Sequence, residues 1–184
     1  MHKILILGPQ GSGKGTQATR LSQKLNIPAL SMGNLLRAEV ASGSDLGKQI
    51  SSFIDEGNLV PDEITSEVLK RRLAKDDAQK GFILDGFPRF VEQYEASKSF
   101  LNPTTVLMIS VPKEESLKRM KKRAEIEQRV DDTPEILDRR LAIYHEKTEP
   151  VIAIYAEQGL VKEIDGMGEM EDVEKRLDVA LGIE

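Results

Sequence analysis

The stretch that decides the fold is Ile4-Leu5-Ile6-Leu7-Gly8-Pro9-Gln10-Gly11-Ser12-Gly13-Lys14, close to the N-terminus. Its first four residues are apolar and predict a short buried strand, which Gly8-Pro9 ends. Residues 16–25 predict a helix, because their apolar side chains recur three and four positions apart. A strand, a glycine-rich turn and a helix in this order predict one unit of an α/β fold.

The glycine-rich turn has the pattern Gly-x-x-x-x-Gly-Lys between a predicted strand and a predicted helix, as this motif requires. Its glycines let backbone N–H groups point inward, and the helix N-terminus adds the positive end of its dipole. Lys14 supplies a compact cation for the β- and γ-phosphates of a nucleotide. Gly15 stands where the usual motif has a hydroxyl, which comes from Thr16 instead. The alternative is an ordinary strand-to-helix turn, but the pattern favours a nucleotide-phosphate site.

Apolar runs alternate with helical patterns along the rest of the chain. Strands are predicted at residues 27–32, 82–84, 104–111 and 160–164. Helices are predicted at residues 113–124, at residues 134–156 with a bend at Pro150, and at residues 171–181. Strands separated by helices predict a parallel sheet with helices on both faces, and such sheets bind ligands at the carboxyl ends of their strands.

Two segments depart from this alternation. Residues 33–60 carry several glycines among helical pieces and predict a mobile helical insertion. Residues 125–133 are polar and lack apolar periodicity, so they predict a surface loop.

The composition is that of a small, acidic chain without cysteine. Its 184 residues predict one domain, and 39% apolar with 31% charged residues are typical of soluble globular proteins. The 26 basic and 31 acidic residues give a net charge of −5, which argues against general binding to nucleic acid or to a membrane surface. The lack of cysteine and the presence of only His2 and His145 argue against disulfides and zinc. No signal-peptide core follows Met1, so we expect a cytoplasmic location.

Leu84-Asp85-Gly86-Phe87-Pro88-Arg89 is a second stretch with chemical character, and it begins where a predicted strand ends. Asp85 would lie beside the phosphates and could hold Mg²⁺ through water, since Mg²⁺ loses its own water reluctantly. The alternative for Asp85 is a turn or helix-capping carboxylate. Arg89 would offer a planar fork to a second phosphate, the alternative being a solvated arginine.

These motifs together resemble the nucleoside monophosphate kinases, most closely the short-lid adenylate kinases. The resemblance rests on residues 8–17, 31–37, 57–61, 85–89 and 129–132. It implies a three-layer P-loop α/β fold, with a five-stranded parallel sheet, in a single kinase domain of residues 1–184. It also implies a helical monophosphate-binding insertion at residues 31–60 and a short lid at residues 124–133. This lid has no cysteine, which excludes the zinc-bearing lid of the long form.

The resemblance also implies a role for individual residues. The donor ATP would contact Gly11, Ser12, Gly13, Lys14, Gly15, Thr16, Arg119, Arg123 and, at its adenine, the backbone of Gly168. The acceptor monophosphate would contact Met32, Arg37, Asn58, Leu59, Val60, Gly86, Phe87, Pro88, Arg89, Gln93, Arg129 and Arg140. The catalytic residues would be Lys14, Arg89, Arg119, Arg123, Arg129 and Arg140. Mg²⁺ would lie near Thr16 and Asp85.

The arginines of the second half have a plainer alternative. Arg119 and Arg123 lie four positions apart and share one helix face, which could be an ordinary solvated basic face. We expect that plain role for the neighbouring Lys118, Lys121 and Lys122, and a plain surface position for His145. Asp131 and Asp132 either orient lid arginines or cap the next helix.

The implied reaction is the reversible transfer of a phosphoryl group from Mg-ATP to AMP, giving two ADP by direct in-line transfer. An acceptor phosphate is already anionic near neutral pH, so the reaction needs no general base, and the sequence offers no obvious one. The expected partners are ATP and AMP alone, with no nucleic acid and no membrane, and the expected state is a monomer. The alternatives are a UMP/CMP kinase or another small-molecule P-loop kinase. A nucleotide switch or inactive scaffold is disfavoured, because the chain has no Asn-Lys-x-Asp guanine motif and keeps Lys14.

The identity of the acceptor base depends on a few positions. Gln93 has one donor group and one acceptor group that could pair with adenine, although a surface glutamine is the alternative. Met32 and Asn34 stand where adenylate kinases usually have threonine and aspartate, and Gln10 stands where they usually have proline. The first two differences bear on the acceptor base and its affinity more than on the class of reaction.

Overall fold

The fold is built on a five-stranded, all-parallel sheet of order β2-β3-β1-β4-β5, as predicted. This computed structural model describes the backbone of residues 1–55, 60–127 and 134–183, and their side chains except at 54–55, 123–127 and 134–137. The strands are β1 (His2–Leu7), β2 (Ala29–Ser31), β3 (Gly81–Asp85), β4 (Thr105–Ser110) and β5 (Val161–Asp165).

Helices cover both faces of the sheet. They are α1 (Lys14–Leu25), α2 (Met32–Ala41), α3 (Asp45–Asp55), α4 (Asp62–Leu73), α5 (Val91–Ser97), α6 (Lys113–Glu127), α7 (Pro134–Ile143), α8 (Glu149–Glu157) and α9 (Met170–Leu181). A short 3₁₀ turn lies at Asp76–Ala78. Within the described part of the chain, no helix is long and apolar enough to cross a membrane.

The core has two apolar clusters because side chains alternate between the two faces of a strand. Ile4 and Ile6 of β1 point into one cluster, where α1 and α9 pack. Leu5 and Leu7 point into the other cluster, on which the insertion helices, α4 and α8 lie. All four side chains are 3% exposed or less. An apolar run without alternation is typical of such a strand, which is buried on both faces.

The register of the strands decides where the functional loops meet. Ile6 of β1 and Ser31 of β2 both pair with Asp85, the last residue of β3. The glycine-rich turn and the 85–89 stretch therefore leave the sheet side by side at its carboxyl edge. The connection that leaves β1 runs to β2 on one side of the sheet, whereas the connection that leaves the adjacent β4 runs to β5 on the other side. Such a reversal is the topological switch point where α/β sheets bind ligands.

The segment predicted to be an insertion contains α2 and α3 in its described part. The prediction of a strand through Met32 was wrong, because the strand ends at Ser31 and Met32 begins α2. Ser31 caps the helix with extended backbone, and Met32 is buried at 3% exposure. An apolar residue at position 32 fits both the two-residue period of a strand and the 3.6-residue period of a helix. Its apolar character alone therefore could not place the boundary between β2 and α2. Residues 56–59 lie outside the described part of the chain.

The prediction of a loop from residue 125 was also wrong, because α6 continues to Glu127. The residues Ala124-Glu125-Ile126-Glu127 include no glycine, proline or capping side chain, and alanine and glutamate are good helix formers. A helix need not have an apolar stripe, so the lack of apolar periodicity in this stretch did not exclude one. Residues 128–133, with Asp131 and Asp132, lie outside the described residues.

The helix predicted at residues 134–156 is interrupted before its proline, not at it. The structure has α7, then a π-helical turn at Tyr144–Thr148, then α8, in which Pro150 occupies the first turn. A proline lacks the N–H that would bond the carbonyl four residues earlier, and its ring clashes with that carbonyl. Widening the preceding turn to the π form accommodates both effects without ending the helix.

Ion pairs join α9 to α1, the helix that follows the glycine-rich turn. Arg20 donates to Glu174 at 2.6 Å and pairs with Glu171 at 2.9 Å, while Lys24 donates to Asp178 at 2.5 Å. The hydrogen bond from Arg20 is the main reason why the pKa of Glu174 lies below its ordinary value of 4.5. A carboxylate whose pKa is lowered by folding stabilises the protein above its unfolded pKa, and this contribution is lost as the pH falls through the folded pKa.

We therefore expect E174Q to lower the free energy of unfolding by less than about 1 kcal/mol at pH 7, because the pair is partly solvated. Urea denaturation at a series of pH values measures this difference, which should shrink and disappear as the pH falls through the lowered pKa of Glu174. E163Q is the matched control, since Glu163 is exposed on β5. A difference between E174Q and the wild type that stays constant as the pH falls from 7 into the acid range would contradict this assignment.

Candidate active site

The glycine-rich turn packs against β4 and α6 so closely that two of its glycines have no room for a side chain. A Cβ at Gly8, with φ +142°, would lie 2.2 Å from the carbonyl oxygen of Ile109. A Cβ at Gly11, with φ +77°, would lie 2.5 Å from the carbonyl oxygen of Ser116. Positive φ and close backbone contact together require glycine at both positions. The neighbouring strand and helix thus hold the turn in one conformation.

The end of the turn leaves the start of α1 open. Gly13 precedes the helix with φ +91°, no side chain caps the helix, and the first turn carries no acidic residue. A Cβ at Gly13 would meet no atom within 4 Å. The first backbone N–H groups of a helix have no partner within the helix and attract anions. The arrangement suits a phosphate group.

Lys14 lies folded back over the turn. Its Nζ donates to the carbonyl oxygen of Pro9 at 2.7 Å and lies 3.4 Å from Oγ of the buried Ser12. The hydroxyl of Ser116 donates to the carbonyl oxygen of Gln10 and ties the turn to α6. The lysine charge is thereby kept beside the N-terminus of α1.

Asp85 faces the beginning of α1 from the neighbouring strand. Its Oδ2 lies 3.8 Å from the position that a Cβ at Gly15 would occupy. Its Oδ1 is buried and has no hydrogen-bond partner among the described residues. Thr16 places a hydroxyl on the exposed first turn of α1. Carboxylate and hydroxyl oxygens suit Mg²⁺, which is held by one or two carboxylates together with water and substrate phosphates.

No group of three or more metal-ligating side chains occurs in the described part of the chain. Such a cluster would be the mark of a site built from protein ligands alone, as for structural zinc. Asp85 and Thr16 would suit the other kind of site, in which nucleotide phosphates supply the remaining oxygen ligands.

Three arginines from different elements lie close enough to influence one another. Loss of hydration is the main reason why the pKa of Arg89 is lowered, and nearby Arg140 of α7 and Arg37 of α2 lower it further. Asp85 acts in the opposite direction. The Nε of Arg89 donates to the carbonyl oxygen of Gly86 at 2.9 Å, which fixes the guanidinium. A cluster of like charges with partial burial raises the free energy of the protein unless an anion joins it.

Arg119 lies on a different side of the turn. Its Nε donates to Glu115 at 2.8 Å, and its Nη1 donates to the carbonyl oxygen of Gly166 at 3.0 Å. The bond from Arg119 is the main reason why the pKa of Glu115 is lowered. Gly168, two residues beyond Gly166, has φ +95°. Arg119 is therefore joined to the loop that carries the predicted adenine contact.

The predicted base-reading residue is buried. Gln93 is 3% exposed, and its Oε1 accepts the backbone N–H of Arg89 at 2.8 Å. Its side chain also hydrogen-bonds the Asp62 carboxyl, whose pKa is raised, mainly by burial and against the effect of that bond. A carboxamide has two N–H donors and two lone pairs, so each end of Gln93 retains capacity for a ligand.

The remaining acceptor positions surround Arg89. A Cβ at Gly86, with φ +85°, would lie 3.3 Å from Nη2 of Arg89 and 3.9 Å from Cβ of Met32. Phe87 and Val60 are buried, and the Phe87–Pro88 peptide bond is cis. Met32 thus places an apolar side chain beside Gly86, where a threonine would present a hydroxyl.

The structure brings together most of the predicted site. The turn, Asp85, Arg37, Arg89 and Arg140 meet at one edge of the sheet. Gly57, Asn58, Leu59 and Arg129 lie outside the described residues, as does the side chain of Arg123. Lys118, Lys121, Lys122 and His145 are exposed, as predicted.

Sequence reasoning missed residues that support the site from a distance. The hydroxyl of Thr148 donates to the carbonyl oxygen of Arg89 at 2.8 Å, across 59 residues of chain. Ser116 and Asp62 act on Gln10 and Gln93 in the same way. No local pattern marks such residues, because their role depends on a tertiary contact.

Comparison with known proteins places this site in a family. Residues 6–160 match the family model described as adenylate kinase. A relative named adenylate kinase from Micrococcus luteus is 46% identical over 182 residues, covering 96% of this chain and 89% of the relative. Relatives of the same name from Thermobifida fusca and Thermus thermophilus are 43% and 42% identical, and each comparison covers at least 97% of both chains. This chain therefore belongs to the adenylate kinase family.

Proposed function

We propose that this protein transfers the terminal phosphoryl group of ATP directly to the phosphate of AMP, giving two ADP in a reversible reaction. The family and its relatives support this activity. The observation that carries it is the cluster of Arg37, Arg89 and Arg140 beside Asp85. This cluster lies next to an open helix N-terminus, so two anions can meet there.

The proposed division of labour follows from this geometry. The N–H groups at the start of α1 and the Lys14 ammonium hold the donor phosphates. Arg37 and Arg89 hold the acceptor phosphate, and Arg140, whose charge acts on Arg89, neutralises charge on the group in transfer. Phosphoryl transfer needs alignment and neutralisation of charge more than covalent help, because its transition state spreads charge over several oxygens.

A monophosphate acceptor removes the need for a general base. A monophosphate is an anion near neutral pH, so no side chain has to remove a proton from it. Asp85 stands at the edge of the cluster, and its electrostatic role is to favour the charged form of Arg89. Asp85, through water, and Thr16 would hold Mg²⁺, which when bound neutralises part of the charge on the donor phosphates.

The proposal includes two closing parts. The insertion at residues 31–60 and the lid at residues 124–133 would close over the bound substrates and exclude water, which otherwise competes as an acceptor. Arg123 and Arg129 would arrive at the phosphates with the lid. The proposal also takes the enzyme to be cytoplasmic and monomeric, and light scattering tests the latter against the chain mass of 20.5 kDa.

A panel of acceptors tests the proposed function. With Mg-ATP and AMP, CMP, UMP or GMP in turn, we expect AMP to give the highest kcat/KM by at least about tenfold, as a site built to hydrogen-bond one base rejects others. Formation of diphosphate, followed by chromatography, is the measurement. A chain that converts CMP or UMP and leaves AMP unchanged would overturn the choice of AMP while keeping the class of reaction.

The pyrimidine alternative has one observation in its favour. Met32 places an apolar group beside Gly86, where the resemblance implies a hydroxyl. M32T should therefore change the relative use of acceptors and leave the KM for ATP unchanged.

A further inference from the structure

The loop between β5 and α9 is held by Arg176, which is not among the predicted site residues. Arg176 of α9 reaches back over the loop, and its Nη1 donates to the carbonyl oxygens of Asp165 at 2.7 Å and Met167 at 2.5 Å. The same nitrogen lies 3.9 Å from Oδ2 of Asp165. One guanidinium therefore fixes two peptide groups of the loop.

Side chains from two other helices hold two more carbonyl groups, those of Gly166 and Met170. Arg119 of α6 donates to the carbonyl oxygen of Gly166, as described above. Gln17 of α1 is 3% exposed, and its Nε2 donates to the carbonyl oxygen of Met170 at 2.9 Å. Helices on three sides of the loop thus point donors at its backbone. Such an arrangement leaves little freedom in the direction of the peptide groups.

The N–H groups of the loop are also nearly all used. Gly166 donates to the carbonyl oxygen of Ser110 at 2.8 Å. Met167 donates to the Asp165 side chain at 3.0 Å, and Glu169 donates to the Asp172 side chain at 3.2 Å. Gly168 is different, because neither its N–H nor its carbonyl oxygen has a hydrogen-bond partner among the residues described. The loop therefore presents the N–H and the carbonyl oxygen of one residue, from two adjacent peptide groups, without a partner among the described residues.

Apolar residues lie on either side of Gly168 in the chain. Met167 is 37% exposed and Met170 is 52% exposed, which makes them two of the five large hydrophobic side chains exposed in the described chain. A flat heterocycle needs apolar neighbours for its faces and hydrogen-bonding groups for its edge. The backbone N–H and carbonyl oxygen of Gly168, with the side chains of Met167 and Met170, meet both needs. The resemblance implies only that Gly168 contacts the donor adenine, and it says nothing of what holds this loop.

We propose that Arg176 is a positioning residue that makes the protein select adenine over guanine in its donor nucleotide. Arg176 holds the Met167 carbonyl group, which belongs to the same planar peptide group as the Gly168 N–H, so this N–H points away from Arg176. The Gly168 N–H then donates to the ring nitrogen of adenine, and the Gly168 carbonyl oxygen accepts from its amino group. This inference rests on the proposed function, since it takes the nucleotide at this loop to be the phosphoryl donor.

The selectivity follows from the order of donor and acceptor. Adenine offers an amino donor beside a ring-nitrogen acceptor, whereas guanine offers a carbonyl acceptor beside a ring N–H donor on the same edge. If the N–H and the carbonyl oxygen of Gly168 are fixed to match adenine, guanine places its N–H donor against the Gly168 N–H and its carbonyl acceptor against the Gly168 carbonyl oxygen. If the loop were free to turn, its peptide could serve either base. Arg176 matters because it removes that freedom.

Equilibrium binding to the full chain, without any acceptor, tests this inference. We expect the wild type to bind ATP at least about tenfold more tightly than GTP in calorimetric titrations, as expected for two hydrogen bonds matched or mismatched. R176M keeps the apolar stem but has no donor, and its affinity for ATP should fall about tenfold while its affinity for GTP changes less than about twofold. R176K should restore most of the ATP preference, because one ammonium can serve both carbonyl groups.

The matched control is K175M, which removes the same charge one residue earlier from an exposed side chain. K175M should leave both affinities unchanged. Equal losses for ATP and GTP in R176M, or a wild type that does not prefer ATP, would overturn the inference. Should R176M not fold in thermal unfolding, R176Q provides the same comparison, because glutamine is too short to reach both carbonyl groups. Because no acceptor is present, failure of the chain to phosphorylate AMP would contradict the proposed function and leave this test intact.

Discussion

K14M should lower kcat for ADP formation from ATP and AMP by about a thousandfold, the effect expected when one preorganised charge is removed from a phosphoryl-transfer site. Lys14 lies at the N-terminus of α1, where its Nζ crosses the glycine-rich turn to Pro9. During transfer, charge moves from the donor γ-phosphate toward the leaving diphosphate. A fixed ammonium beside those oxygens stabilises the transition state more than the ground state, so kcat falls more than affinity for ATP does.

The measurement is initial-rate kinetics with both substrates varied, together with thermal unfolding of each variant. K121M is the control, since Lys121 is an exposed lysine of α6 on the neighbouring helix. K121M should retain activity within about twofold, as expected for a solvated charge. Methionine preserves the length of the stem, and the glycines that shape the turn are unaltered, so K14M should unfold within a few degrees of the wild type. Activity of K14M close to that of the wild type would show that the turn does not bind the donor phosphates.

Features encoded locally were the ones that could be predicted from the sequence. Residues 4–7 form a strand, the turn at residues 8–13 has the positive φ angles that only glycine adopts readily, and α1 follows directly. Each of these depends on neighbours in the chain. The parallel sheet followed because helices separate the strands, and a crossover helix is what joins parallel strands.

Boundaries were harder to predict, because competing preferences are nearly equal there. Met32 suited a strand or a helix, and only its burial beside Gly86 shows which it joined. Residues 124–127 are polar enough for a loop yet helical by preference. Pro150 was expected to bend its helix, but the π turn four residues earlier takes up the distortion. In each case, tertiary packing decided between states that local sequence could not separate.

The supporting residues of the site could not have been found from local pattern. Arg176 looks like an ordinary surface residue of an amphipathic helix, and Thr148 like a polar residue in a polar stretch. Their importance comes from reaching backbone carbonyl groups 9 and 59 residues away in the chain. A sequence motif marks residues that touch a ligand through a shared chemistry, whereas the residues that hold them act through geometry.

R89M should lower kcat/KM for AMP by about a thousandfold, the upper range for loss of one fixed donor to a charged transition state. The effect of R89M on the free energy of unfolding should be small, because two contributions oppose one another. The variant loses the 2.9 Å bond from Nε to Gly86, which costs about 1 kcal/mol. R89M also removes a poorly hydrated cation that lies near Arg140 and Arg37. The loss of hydration and these two neighbouring charges lower the pKa of Arg89.

Because a lowered pKa means that folding disfavours the charged form, loss of the charge offsets the loss of the hydrogen bond. R89M should therefore unfold within a few degrees of the wild type while losing activity. An arginine retained for stability alone would behave in the opposite way, with a large fall in the unfolding midpoint and a proportionate effect on both substrates. The split between KM for AMP and KM for ATP separates the two, because Arg89 lies on the acceptor side of the cluster.

Two variants complete the test of Arg89. R89K keeps the charge but has no planar fork, so it should recover less than a tenth of the lost activity, since a point charge cannot bind a phosphate through two parallel hydrogen bonds. R139M is the matched control, because Arg139 is the exposed neighbour of Arg140 on α7. It should leave both KM values within about twofold of the wild type. If R89K were fully active, charge alone would account for the role of Arg89, and the bidentate geometry proposed for the acceptor phosphate would have to be given up.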